Sequence, residues 1–199
     1  MFTINKKVSF EFVEKKSKFL AELFFVKNEI EVRAILKSQK EKYKTATHIV
    51  YAFVLGKNQE IIFSSDAGEP AGTSGKPALI VLQKNNFTNT LVTITRWFGG
   101  ILLGKAGLVK AYSDAVKGAI DEARKNFSIE ELKEKKSFTF SASYELYASL
   151  KNVFKKYHFI SFKEKFLTEV SITGEVEQCD FFSFSEDVKK ASCGRICIL

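Results

Sequence analysis

Three side chains in the first half of the sequence are of the types that move protons: His48, Asp66 and Glu69. The two carboxylates sit in a small-residue segment, SDAGEPAGTSGKP (65–77), where they would serve as an acid/base pair or as an anchor for a ligand. His48 adds a side chain that titrates near neutrality and can act as a base or proton shuttle. Together they are the catalytic candidates of a small hydrolase with a cleft near a glycine-rich loop. Each also has a structural reading. Arg96 shares its strand face with Val92 and Ile94, so it is expected to be partly buried, and a buried guanidinium needs an acidic partner such as Asp66 or Glu69. His48 equally fits a hydrogen-bonded structural histidine. The first half holds no G-x-S-x-G, no H-E-x-x-H and no cysteine, so no nucleophile is marked by motif.

A second segment, TRWFGGILLGKAGLVKAY (95–112), suits an anion instead. Gly99, Gly100, Gly104 and Gly107 permit positive φ and close approach of backbone. The helix expected after them offers free N–H groups to a phosphate or carboxylate. Gly99-x4-Gly104-Lys105 satisfies most of the nucleotide phosphate-loop pattern, but Ala106 stands where a magnesium-binding Ser or Thr is required. That mismatch removes the nucleotide reading, and no cofactor is expected. Ligand or nucleic-acid contacts remain expected from Arg96, Trp97, Phe98, Gly99, Gly100, Gly104, Lys105, Gly107 and Lys110.

The elements that would position these residues alternate. Phe19, Ala21, Leu23 and Phe25 recur at strand period, and Val32, Ile35, Leu36 and Tyr43 at helical spacing from about Glu29. THIVYAFVLG (47–56) is apolar on both faces, as in a central strand. EIIFSSD follows, and then a short helix that Thr73 or Ser74 would cap. LVTITRW (91–97) is a strand and LVKAYSDAVKGAIDEA (108–123) an amphipathic helix. A charged stretch around ELKEKK makes 127–136 a linker between a domain at 1–126 and one at 137–199. The second domain reads β-α-β-β-α-β, ending in the strand GRICIL, which is the ferredoxin-like order. Phe138 and Phe140 alternate with Ser137, Thr139 and Ser141, so its open sheet face carries hydroxyls and no aromatic platform for bases. That face is a third candidate, a protein–protein interaction module.

The formal charge of +8 is uneven, with 20 Lys/Arg against 12 Asp/Glu in residues 1–126. A basic half points to an anionic partner such as RNA or the ribosome. Because 27 of the 31 basic residues are lysine, a merely solvated, compositionally biased surface fits the same numbers. Cys179, Cys193 and Cys197 are an odd count without paired spacing or nearby histidine, so free thiols and no metal site are expected. The first twenty residues lack the apolar run of a secretory signal, and no window approaches the length of a membrane span, so a cytoplasmic location is expected.

With these residues in view, the sequence resembles the YigZ/IMPACT family. That family's hallmarks run S-D-D-G-E-P-S-G-T-A-G-K-P and R-[YW]-F-G-G-x-K-L-G-x-G-G-L-x-R-A-Y, matched in order by 65–77 and 96–112; ATHIVYAF (46–53) is similar to its A-T-H-x-x-Y-A-Y strand. Departures are Ala67 for Asp, Ala71 for Ser, Leu102 for Lys, Ala106 for Gly and Lys110 for Arg. The resemblance implies an α+β architecture: a first domain like domain 2 of ribosomal protein S5, then a small ferredoxin-like domain. It also implies kinship with eukaryotic regulators of translation, which compete for an activator of an amino-acid-starvation kinase. The resulting expectation is a non-enzymatic, translation-related protein that binds RNA, the ribosome or a ribosome-associated partner. The hydrolase is the main rival, and the sequence leaves the oligomeric state open.

Overall fold

A computed structural model describes residues 1–198 and divides into two compact α+β units, Met1–Leu132 and Lys133 onward. None of the described helices is long and apolar enough to cross a membrane.

The first unit is built on a five-stranded antiparallel sheet. Its strands are β2 (Val8–Glu14), β3 (Ser17–Phe25), β4 (His48–Leu55), β5 (Ile61–Ser65) and β6 (Thr90–Trp97), in the order β2-β3-β6-β4-β5. β6 is central and buried along almost its whole length, which its unbroken run of β-branched and apolar residues permits. Its two sets of alternating side chains meet different layers. Val92, Ile94 and Arg96 face helices α2 (Gly75–Lys84) and α3 (Gly104–Lys125), where the main core forms around Phe19, Ala21, Val50, Tyr112 and Ile120. Leu91 belongs to a smaller cluster under helix α1 (Glu29–Lys42), with Val32, Phe53 and Leu55. Asn28 starts α1 by accepting a hydrogen bond from the Glu31 amide at 3.0 Å.

Two short strands frame this unit. β1 (Phe2–Ile4) pairs with β7 (Ile129–Glu131), so part of the stretch 127–136 read as a linker is ladder. Ile4 is fully buried and Ile129 packs against the same core, which gives that chain segment an apolar anchor. Helix α3 also begins four residues earlier than the amphipathic pattern suggested. Gly104 takes φ +73° at its start, and Gly107 sits close against Leu103, where an added Cβ would lie 3.0 Å from that side chain.

In the second unit, β8 (Lys135–Ala142), β9 (Phe159–Phe166) and β10 (Val170–Glu177) form a three-stranded sheet in the order β8-β10-β9, packed against α4 (Tyr144–Phe154) and α5 (Gln178–Ala191). Phe138, Phe140, Val170 and Ile172 are buried under the helices. The opposite face carries Ser137, Thr139, Ser141, Ser171 and Thr173 beside Lys163 and Lys165. The expected last strand does not form among the described residues, and Leu199 lies outside them. The chain turns at Cys193 and Gly194, both at positive φ, and the Ile196 amide donates to Ser192 Oγ at 3.1 Å. That donor is therefore spent on the end of α5 and not on a ladder. Ile196 and Ile198 still bury alternately, which is the source of the strand-like pattern.

Candidate functional site

The two carboxylates of 65–77 have separate tasks. Asp66 lies just after β5 and serves the start of α2. Its carboxylate accepts from the amides of Gly72 (2.8 Å), Ser74 (3.0 Å) and Gly75 (2.8 Å), and from Ser74 Oγ (2.6 Å). Ser74 is the N-cap by position but makes no side-chain cap bond, and Thr73 Oγ1 turns back to donate to the Pro70 carbonyl. The cap expected from Thr73 or Ser74 is thus supplied by a residue outside the helix. A negative charge on free amides at a helix N-terminus is favourable on both hydrogen-bonding and dipole grounds. Partial burial would raise the Asp66 pKa, but the bonds from Ser74, Gly72 and Gly75 outweigh it and hold the carboxyl below its ordinary range. Gly75 is needed because a Cβ there would lie 2.8 Å from the Ser65 carbonyl.

Glu69 is buried and takes the partner that the pattern on β6 called for. Arg96 Nη1 donates to its Oε1 at 2.6 Å, and the Tyr112 hydroxyl of α3 donates to the same oxygen at 2.8 Å. Arg96 Nη2 reaches Ser17 Oγ at 3.3 Å, and Ser17 Oγ also accepts from the Gly99 amide at 3.2 Å. The guanidinium lies between the rings of Phe19 and Phe98, each with its centroid 5.4 Å away. Burial, and then the Glu69 carboxylate, push the Tyr112 phenol upward, so it stays a donor. A Cβ at Gly99 would overlap the Lys16 carbonyl, so this glycine lets the β2–β3 turn close over the end of β6.

Tyr112 and Ser17 were not among the residues singled out from the sequence. Tyr112 carried a signal, since a tyrosine within the buried stripe Leu108, Ala111, Ala115 and Ile120 must find a partner for its hydroxyl. Ser17 carried none, because its contact depends on a chain reversal at Lys15 and Lys16, both at positive φ.

His48 Nδ1 lies 2.9 Å from the Ala67 carbonyl. A carbonyl only accepts, so this nitrogen is the donor. Among the described residues no Ser, Thr or Cys hydroxyl or thiol is hydrogen-bonded to His48.

A cleft of about 400 Å³ brings several candidates together. His48, Glu69, Arg96, Phe98, Gly104 and Lys105 line it, with Leu102, Leu103 and Leu108 supplying apolar wall. Asp66 is not on its wall. Trp97 points to the opposite sheet face, where its Nε1 donates to Thr45 Oγ1 at 3.2 Å and its ring meets Tyr43 edge-on. Gly107 and Lys110 border a smaller depression beside Lys15, Glu14 and Asp114; Leu103 lines both. Gly100 is exposed, with φ +85°. Arg96, expected either to contact a ligand or to pair with an acid, lines the cleft while buried and paired with Glu69. Four other cations stand around this end of the sheet: Lys15, Lys16, Lys105 and Lys110 are exposed and make no ion pair among the described residues. No acidic residue occupies the first turn of α3, and no side chain caps it.

Away from this site, Glu177, Cys179 and Asp180 bring three donor atoms within 4.8 Å at the start of α5. Partial desolvation, Asp180 and Glu177 all push the Cys179 thiol upward.

Comparison with known proteins agrees with the geometry. The Impact N-terminal domain family matches residues 15–120, which span β3 through most of α3. The chain is 31% identical over 194 residues to the IMPACT family member YvyE of Bacillus subtilis, covering 98% of this chain and 88% of that protein. An IMPACT family member of Haemophilus influenzae is 30% identical over 194 residues, covering 96% and 92%. A crystal structure of a hypothetical protein matches with a TM-score of 0.63 at 25% identity, over 100% of this chain and 95% of that one.

Proposed function

The chain belongs to the IMPACT family, and on that footing we propose that it is a non-enzymatic, translation-related protein that binds ribosomal RNA through the glycine-loop end of its first sheet. The observation that carries this reading is the cluster of Lys15, Lys16, Lys105 and Lys110 around the uncapped start of α3. Free helix amides with unpaired lysines beside them suit phosphate oxygens. Phe98, which is 43% exposed at the cleft rim, adds a face on which an unstacked base can rest. Leu102 stands where the family pattern has Lys, and in this chain the β2–β3 turn contributes Lys15 and Lys16 to the same end.

The hydrolase reading loses support at its two carboxylates. Glu69 is committed to Arg96 and Tyr112, and Asp66 to the amides of α2. Neither is free to take a proton from substrate. In the second unit the open sheet face is lined by hydroxyls, lysines and Glu175, which fits backbone or protein contact rather than stacking. The finer readings of the two units, as relatives of ribosomal protein S5 domain 2 and of a ferredoxin-like domain lacking its last strand, accord with this assignment.

Sedimentation with purified ribosomes at increasing salt tests the proposal. Retention should fall steeply with salt, and should be weaker and less salt-sensitive when Lys15, Lys16, Lys105 and Lys110 are changed to Glu. Retention that ignores both salt and the four charge reversals would overturn it.

A further inference from the structure

The opposite edge of the same sheet carries a second surface that the glycine loop does not use. β5 has one neighbour, β4, and ends the sheet on that side. Its sequence, IIFSS, contains no charge or proline, the devices by which exposed edges are normally blunted. Ile61, Ile62 and Phe63 are 47%, 46% and 49% exposed, although they belong to regular strand. Phe63 stacks on both Tyr51 and Phe53 of β4, with centroids 6.0 and 5.7 Å apart. Between this aromatic row and α1 runs a groove of about 290 Å³, closed on the helix side by Glu29, Val32, Arg33 and Leu36.

Beside the groove, the same helix carries a row of cations. Arg33, Lys37, Lys40 and Lys44 recur along one face of α1 and just past its end, and Arg33 and Leu36 line both the apolar groove and this basic depression. Arg33 is paired with Glu29 at 3.4 Å, and Glu41 is the other acid nearby. Lys37, Lys40 and Lys44 have no ion pair among the described residues.

We propose that β5 and the α1 groove form a docking site for an extended acidic segment of a partner protein, which adds to the sheet edge as a further strand. An occupant pairing with β5 would turn every second side chain to the α1 side of the sheet, where acidic ones face Arg33 and Lys37, and the others to the side of Ile62. Main-chain pairing favours a polypeptide over RNA, and the row of cations selects acidic side chains over a second copy of this edge, whose own strand is uncharged and whose own helix would repel it.

The full-length protein is titrated with a fluorescent synthetic peptide of alternating Glu and Ile. A peptide of the same composition interrupted by proline is the control. Saturable binding of the first peptide alone is expected, weaker at high salt. Lys37→Glu/Lys40→Glu should weaken it at least about tenfold. Phe63→Ser should weaken it comparably, with an unchanged circular-dichroism spectrum as evidence of folding. The surface double variant keeps the test valid should Phe63→Ser unfold. The charge reversals at Lys15, Lys16, Lys105 and Lys110 should leave peptide binding intact, which separates this site from the RNA-binding surface. Equal binding of the proline control overturns the proposal, as does affinity untouched by the α1 reversals. So does a concentration-dependent dimer that Phe63→Ser dissociates and the peptide does not, since that assigns the edge to a second copy.

Discussion

The two faces of the first sheet handle buried charge differently. On the α2/α3 face, Arg96 and Glu69 are almost wholly enclosed, and the same Glu69 oxygen also receives Tyr112. On the α1 face, Glu22 is 2% exposed but reaches only surface cations, Lys7 at 2.6 Å and Lys42 at 3.9 Å. Its second oxygen, Gln39 Oε1, Thr93 Oγ1 and Thr95 Oγ1 have no partner there, and on the first face Arg96 Nε is likewise without one. Unpaired buried polar groups are costly, so the α2/α3 face, with fewer of them, is the better satisfied of the two. The family signature lies on the first face, and the groove assigned to a peptide partner opens on the second. The better-paired network thus lies beside the start of α3, and the less-paired one beneath the α1 groove.

The sharpest way to break the contrast is to remove one partner from each face. Glu69→Ala leaves Arg96 charged and enclosed, and is expected to cost about 3–5 kcal/mol in urea unfolding. Glu22→Gln keeps the shape and frees lysines that water already reaches, so about 1 kcal/mol or less is expected. Equal losses at the two sites would erase the distinction. Asp66→Ala should come next, costing about 1–2 kcal/mol by uncapping α2. Because folding lowers the Asp66 pKa, its contribution is complete above the ordinary carboxylate range and disappears as pH falls through the folded-state value. Wild type should therefore lose stability relative to Asp66→Ala only below about pH 4. Tyr112→Phe removes one donor from an oxygen still paired with Arg96, and about 1 kcal/mol is expected by thermal unfolding.

Much of the positioning was legible because strand period is strict. Alternation in LVTITRW put Arg96 on the core face and demanded an acid, leaving only the choice between Asp66 and Glu69 open. That choice depends on how the loop 65–77 folds, and the loop is organised by Asp66 reaching six to nine residues ahead to amides. No periodicity encodes such a reach. β1 and β7 are three residues each and pair across most of the unit, so neither shows a pattern of its own. The last strand was suggested by real alternation at Ile196 and Ile198, but Ser192 captures the amide a ladder would need. Lys15 and Lys16 escaped notice as site residues because a tight turn, and not sequence proximity, carries them to Gly99.

The central claim is that Glu69, Arg96 and Tyr112 hold the frame while the lysines around the α3 start make the contacts. Fluorescence anisotropy of a labelled single-stranded RNA, titrated across a salt series, tests it most directly. Wild type should show log affinity falling linearly with log salt. The variant carrying Lys15→Glu, Lys16→Glu, Lys105→Glu and Lys110→Glu should flatten that slope by about three, at roughly 0.7 per phosphate contact. Tyr112→Phe should keep the wild-type slope. An unchanged slope in the lysine variant, or a slope lost in Tyr112→Phe while the protein stays folded, would contradict the account.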